Sequence, residues 1–519
     1  MSTIKSDNIA QELERDPYLS IEANEKEKAS TEMAQLAWKE QLQQLWVSKR
    51  AAAACLACSM GAVLVGYDMT MIGSIIANVE FVQQFGVYHS ESETWTLPAS
   101  TQLYWTVIQY VCAMAAAVTS GALNDTFGRR PVFICIVFCT FAGAIIELVA
   151  PSWKIFIIAK VLFGGAMGLM QGTIPAYVSE LAPRHLRGFL LALFNFWIVL
   201  GSFIGSGVLE GTSGVEGAWS WKGAIVSQIP LGALTLTVFI CLVPESPYYL
   251  VSRSRMDAAR ASLLRLRKNE PGYNVDEDLA DVSESLSRPL QGKATKQASY
   301  LELFQGPNLR RTLIACLPMA MQHFLGFSLC GTYLPYFLSL SGVDRPFVIT
   351  VISTAVSTLA TLCAVALIEV VGRRPQYIFG SSSILPCLLC IGILGFIEPT
   401  SAVMTGVSAL CIIWAFFWYL SVGAVGWVIA GEMATPRLRP KTVGVAAMAN
   451  SLINMGWSIA IPYLVNAENA NLGPKVGLVF FAPSVCFAVV AFFMIPETKG
   501  KSFQQLDQLF EARTPARRF

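Results

Sequence analysis

Twelve predominantly apolar runs pattern the chain, near residues 52–78, 101–124, 131–150, 154–178, 187–211, 222–243, 309–340, 346–371, 375–397, 402–430, 440–466 and 473–495. An α-helix needs about 20 such residues to cross a bilayer, so each run predicts one span. Six fall on either side of a polar stretch at 244–308. The pattern predicts an all-α membrane protein: an N-terminal tail over 1–50, a six-helix half over 51–243, a linker over 244–308, a second six-helix half over 309–500 and a tail over 501–519. In the linker, Ala259, Leu263 and Leu266 recur at helical spacing with arginines between, which predicts short amphipathic helices.

Composition agrees with the pattern. Of 519 residues, 54% are hydrophobic and 14% charged, against roughly 25% charged in soluble domains, and the mean hydropathy is +0.52. A net charge of +2, with the basic residues in short clusters, argues against a nucleic-acid partner. The first 50 residues hold seven Lys/Arg and nine Asp/Glu and lack the apolar core of a cleavable signal. The C-x-x-C spacings Cys55/Cys58 and Cys387/Cys390 fall inside apolar runs and are expected to pack rather than to bind metal or exchange disulfides. No cofactor, metal site or catalytic group is expected.

Loop charge predicts topology, because Lys and Arg stay on the cytoplasmic side. One set of loops reads DTFGRRP, ELAPRHLRG, EVVGRRP and EMATPRLRPK; the other includes a long segment, EFVQQFGVYHSESETWTLPAS, with no Lys or Arg. Both termini and the linker are therefore expected in the cytoplasm, and the N-x-T sequon at Asn124 is expected to stay unglycosylated. Three loop motifs also recur in order: Gly128 and Gly372 are 244 residues apart, Glu180 and Glu432 are 252 apart, and Pro244 and Pro496 are 252 apart. Two duplicated halves place a cavity at their interface near mid-membrane, the arrangement of a secondary transporter.

These motifs resemble the sugar porter family of the major facilitator superfamily over roughly residues 50–505. GALNDTFGRR is similar to the family's G-x-L-x-D-x-x-G-R-R, PESPYYL to its P-E-S-P-R-x-L, and PETKG matches its terminal signature. Other runs, such as RLRPKT, look most like the fungal maltose and α-glucoside permease branch. The resemblance implies a cytoplasmic latch built from Asp125, Arg129, Arg130, Glu180, Arg187, Glu245, Glu369, Arg373, Arg374, Glu432, Arg439 and Glu497. The expected pairs are Asp125 with Arg129, Glu180 with Arg187, Glu369 with Arg373, and Glu432 with Arg439. They would be closed when the cavity faces outward and parted when it faces inward. Exposed pairs of this kind contribute about 0.2–1 kcal/mol each, weak enough to open.

Asp68 interrupts an apolar run, and an acid at the bilayer centre costs about 2.5–3.5 kcal/mol, so it must face a cavity or a partner. Lys160 in the fourth span is the clearest cation inside an apolar run. Counting about 1.5 Å per residue puts the two roughly 15 and 9 Å below the same surface, within a lysine's reach. The resemblance implies an Asp–Arg pair at these positions that couples transport to protons. Lysine replaces arginine here and, unlike it, can release its proton when desolvated.

Amides and hydroxyls bind sugar hydroxyls, and aromatic rings cover a sugar's apolar faces. By resemblance, the substrate residues are Asn195, Trp197 and Ser202 in the fifth span, Gln322, His323, Ser328 and Tyr333 in the seventh, Trp427 in the tenth, and Asn450 and Asn454 in the eleventh. Val422 and Ala424 replace the family's stacking Trp and following Pro, which leaves room for a larger or less polar substrate. The glycines of GGAMG from Gly164 and GSFIGSG from Gly201 are expected to be packing faces. The leading expectation is a monomeric, plasma-membrane importer of a hexose or α-glucoside together with protons. A passive sugar facilitator, an exporter of a non-sugar metabolite and a transport-inactive sensor are the alternatives.

Overall fold

The computed structural model describes residues 46–519 apart from 91–93, 184–185, 269, 271, 288–299, 434–437, 467–469, 500 and 502. Most of the expected N-terminal tail lies outside them. Among the described residues, twelve helices are long and apolar enough to cross a membrane: α1 Lys49–Ala77, α2 Ala99–Phe127, α3 Arg129–Val149, α4 Trp153–Leu181, α5 Phe189–Ser213, α6 Trp219–Leu242, α7 Gly306–Thr332, α8 Pro346–Ile368, α9 Arg373–Leu394, α10 Ser401–Met433, α11 Lys441–Val465 and α12 Gly473–Met494. Each coincides with one predicted run. The helices alternate in direction, so the α2–α3, α4–α5, α8–α9 and α10–α11 connections and the linker gather at one end of the bundle, the basic end, while Arg345 before α8 lies at the other. Three short helices, Pro247–Ser252, Met256–Arg267 and Val275–Ser287, follow α6 at that end.

Glycine sets the connections where geometry demands it. The α2–α3 and α8–α9 turns pass through Gly128 at φ 97° and Gly372 at φ 100°, a left-handed conformation that disfavours side chains. Gly326 at φ 92° interrupts α7, and a wide turn over His323–Thr332 replaces regular helix. This break frees backbone and turns side chains toward the bundle interior.

The small-residue stripes act as helix contacts. A Cβ at Gly66 would overlap the Ile198 carbonyl on α5, and one at Gly201 the Val63 carbonyl on α1. Gly164 and Gly168 on α4 meet the Gln109 and Ala113 carbonyls of α2 in the same way. Without a hydrophobic drive between helices in lipid, such close backbone approach is what binds them.

The two halves meet at the end opposite the basic loops. Ile75, Ile76, Trp105 and Phe156 of the first half share one buried cluster with Tyr333, Leu334 and Phe337 of the second. Side-chain hydrogen bonds among the described residues cross between the halves, including Gln102 Nε2 to Tyr336 Oη at 3.4 Å, Thr106 with Tyr333 at 3.5 Å, Ser206 with Thr354 at 2.8 Å, and Asn454 Nδ2 to Tyr110 Oη at 2.7 Å. The first three lie in the opposite half of the bundle's depth and the fourth near its middle. This end is closed.

Candidate functional site

Three charged side chains are buried in the first half: Asp68 on α1, Glu147 on α3 and Lys160 on α4, exposed by 4%, 2% and 3%. Lys160 Nζ lies 2.7 Å from Glu147 Oε1, with the Phe156 and Phe163 rings 5.0 and 5.5 Å from the ammonium. Asp68 instead accepts a 2.7 Å hydrogen bond from Gln109 Nε2 on α2, and its Oδ1 has no partner among the described residues. The expected Asp68–Lys160 ion pair is therefore not formed in this conformation. Side-chain direction explains why. Helical side chains lean toward their own N-terminus. Antiparallel α1 and α4 thus tilt Asp68 toward the basic end and Lys160 away from it, and a depth estimate from Cα positions misses this. Antiparallel α3 tilts Glu147 toward Lys160. Glu147 was missed in the sequence although it stands in an apolar run, AIIELVA, and obeys the same rule that singled out Asp68.

The second half supplies a row of uncharged polar groups. Asn450 Nδ2 donates to Gln322 Oε1 at 3.3 Å and to the Met319 carbonyl at 3.2 Å. One turn on, Asn454 Oδ1 accepts from Ser328 at 3.4 Å and Ser458 at 3.3 Å. Its amide reaches Tyr110 across the interface. The helical spacing of 450 and 454 aligns them along α7, where the break at Gly326 exposes the polar side chains. His323 is buried beside this row, its ring 5.6 Å from that of Phe327, and neither ring nitrogen has a hydrogen-bond partner among the described residues.

The remaining substrate candidates divide. Asn195 Nδ2 and Trp197 Nε1 on α5 are buried donors without a partner among the described residues. Tyr333 belongs to the closed end, against Thr106. Ser202 donates to the Gly66 carbonyl at 3.0 Å and so ties α5 to α1. On α10, Trp427 is 38% exposed. Trp414 and Trp418 are the buried tryptophans of this helix: Trp414 Nε1 donates to the Leu325 carbonyl at 2.8 Å, and Trp418 is stacked on Phe327 at 4.6 Å with its Nε1 on the Gln322 carbonyl at 3.3 Å. Its position one turn before Val422 was visible in the sequence, but the break in α7 that brings Phe327 under it was not. The Gln322 amide donates to the Val422 carbonyl at 3.3 Å.

The charge clusters of the basic end are duplicated contact for contact. Glu245 accepts from Arg129 N at 3.0 Å and Arg130 N at 3.2 Å; Glu497 accepts from Arg373 N and Arg374 N, each at 3.1 Å. Arg129 reaches Glu180 at 2.9 Å and Asp125 at 3.3 Å, and Arg373 reaches Glu432 at 3.0 Å. Glu180 also accepts from Ser246, and Glu432 from Thr498. Glu180 and Glu432 thus take the turn arginines, not solely the Arg187 and Arg439 expected for them; the side chains of Arg187, Arg439 and Glu369 lie outside the described residues. These contacts close within each half, with the carboxylates of Glu245 and Glu497 seated against the side-chain-free Gly128 and Gly372. They are formed while the opposite end is shut, so in this conformation they brace each half and do not part.

The family model described as "Sugar (and other) transporter" matches residues 54–510. The chain is 30% identical over 484 residues to the maltose permease MAL61 of Saccharomyces cerevisiae, covering 91% of this chain and 77% of that protein. It is 28% identical over 471 residues to the major facilitator-type transporter ecdD of Aspergillus rugulosus, covering 87% and 86%. The solved inward-open xylose transporter XylE of E. coli superposes with a TM-score of 0.70 at 21% identity over 88% of this chain and 98% of that one. Twelve apolar helices in two duplicated halves, with the paired motif clusters at one end, agree with that match: the chain is an integral membrane protein of the major facilitator superfamily and belongs to its sugar transporter family.

Proposed function

We propose that this protein imports a sugar, a hexose or an α-glucoside, with protons by alternating access. In this reading the basic end and both termini are cytoplasmic, and the host membrane is the plasma membrane. The observation that carries it is the division of the buried polar groups into two sets. Gln322, Asn450, Ser328 and Asn454 form an uncharged row suited to hydroxyls. Asp68, an acid with one free oxygen, stands apart from that row in the other half and is suited to a proton. The likeness to a maltose permease at 30% identity supports a sugar as cargo.

The conformation described is then the one closed to the outside. Substrate leaves by separation of the basic ends, and the return requires breaking the Asn454–Tyr110 contact and the seal around Tyr333. Substrate at the α7–α11 row competes for the amide of Asn454, which links occupancy of the row to that seal. A second reading, export of a less polar metabolite, is favoured by the apolar Val422, buried on α10 beside the row. A sugar-transport-deficient host supplied with glucose, maltose or methyl α-glucoside, with and without a protonophore, separates the possibilities. Import with protons predicts growth and uptake that the protonophore abolishes. Protonophore-insensitive uptake indicates a facilitator, and growth on no sugar refutes sugar import.

A further inference from the structure

The Glu147–Lys160 contact adds a charge that an acid–base pair alone would not have. Asp68 and Lys160 by themselves would be neutral without a proton and carry +1 with one. With Glu147 the set carries −1 when every group is ionised and is neutral when one proton is bound. In a low-dielectric interior the neutral state is strongly preferred, so Glu147 decides which point of the cycle is uncharged.

Geometry gives each acid a distinct station. Glu147 holds the ammonium at 2.7 Å. Asp68 is held by the neutral Gln109 amide. Two small cavities border the cluster, one lined by Lys160, Gln102, Thr106 and Tyr333, the other by Asp68, Thr140 and Phe163. Lys160 Nζ lies over the Phe163 ring, which puts that ring beside both stations. The other titratable groups nearby are Tyr110 on α2, engaged by Asn454, and Tyr333 on α7, engaged by Thr106. Neither carries charge here.

We infer that Glu147 is the positioning residue for proton coupling: it holds Lys160 away from Asp68 while Asp68 carries the proton, and shares Lys160 with Asp68 once the proton has left. The proton moves on and off a carboxylate oxygen of Asp68, and no other bond changes. The inference rests on the proton-coupled reading above.

The test uses the full chain in the deficient host and whichever of glucose, maltose or methyl α-glucoside wild type carries, with uptake followed against external pH. Glu147→Gln leaves Asp68 and Lys160 free to pair and moves the midpoint to at least tenfold higher proton concentration. Lys160→Gln leaves two carboxylates without a cation and moves it at least tenfold the other way. The double variant E147Q/K160Q restores the wild-type charge count and returns the midpoint to within about threefold of wild type. It also leaves no unpaired buried charge at these two positions, so it remains informative where a single variant does not reach the membrane. A double-variant midpoint far from wild type, or single-variant midpoints that coincide with a pH-dependent wild type at lowered rate, would reduce Glu147 to a brace and overturn the inference. Wild-type uptake of no sugar, or uptake indifferent to pH, would instead remove the coupling reading, and this inference with it.

Discussion

Replacing Gly201 with alanine tests whether the α1–α5 contact is what places Asp68. The added methyl would overlap the Val63 carbonyl oxygen by over an ångström relative to the 3.4 Å at which ordinary contact begins. A backbone carbonyl inside a helix cannot swing aside, so the two helices must part by about that much. Ser202, the next residue, would lose its 3.0 Å bond to the Gly66 carbonyl. Overpacking of this kind costs about 1–3 kcal/mol. Gly207 lies on the same helix with nothing within 4 Å of its added Cβ, so alanine there carries no steric cost and gains up to about 1 kcal/mol of helix propensity. The assay is the half-life of the monodisperse detergent-solubilised protein at a fixed elevated temperature, with uptake in parallel. Each 1–2 kcal/mol corresponds to about a 5–30-fold change, so Gly201→Ala should shorten the half-life at least fivefold relative to Gly207→Ala. Because α1 carries Asp68 two residues from Gly66, uptake should fall with it. Equal half-lives for the two variants would refute the packing argument.

Two further outcomes follow from the same contacts. Tyr110→Phe removes the acceptor of the 2.7 Å bond from Asn454; a net loss of about 0.5–1.5 kcal/mol shifts the balance about 2–10-fold toward opening of the Tyr333 end. Distances between spin labels across that end measure the shift, and an unchanged distribution would make the bond incidental. Glu245→Gln and Glu497→Gln each weaken three matching bonds from backbone amides to a carboxylate, each worth about 1.5–3 kcal/mol for charged acceptors. The two variants should be thermally destabilised by the same amount because the clusters are duplicates, and a large difference between them would show that the halves are not equivalent braces.

Polar residues inside apolar runs of the sequence marked most of the buried polar groups described above, but not the partners they take. Asp68, Lys160, Gln322, His323 and Asn450 stood out because polar groups inside apolar runs are costly and therefore need partners. Which partners they take depends on the side chain's lean along antiparallel helices, so Lys160 went to Glu147 and Asp68 to Gln109. The bond from Ser202 to the Gly66 carbonyl depends likewise on the close approach of α5 to α1, which the sequence does not display. Trp418, with Trp414, is buried while Trp427 is not, and the break of α7 at Gly326 brings Phe327 against Trp418.

What the sequence alone determined is the number, extent and alternation of the spans, the duplication of the halves, and the gathering of the duplicated Arg-bearing loops at one end. These follow from hydrophobic length, loop charge and repeat spacing, which are local along the chain. Only the tertiary structure decided how Glu180, Glu432 and Lys160 are paired, which end of the bundle is closed, and that the arginine clusters close inside each half. Those outcomes rest on helix direction, on close approach at glycines and on the seam between two halves, and each joins residues that no local pattern relates.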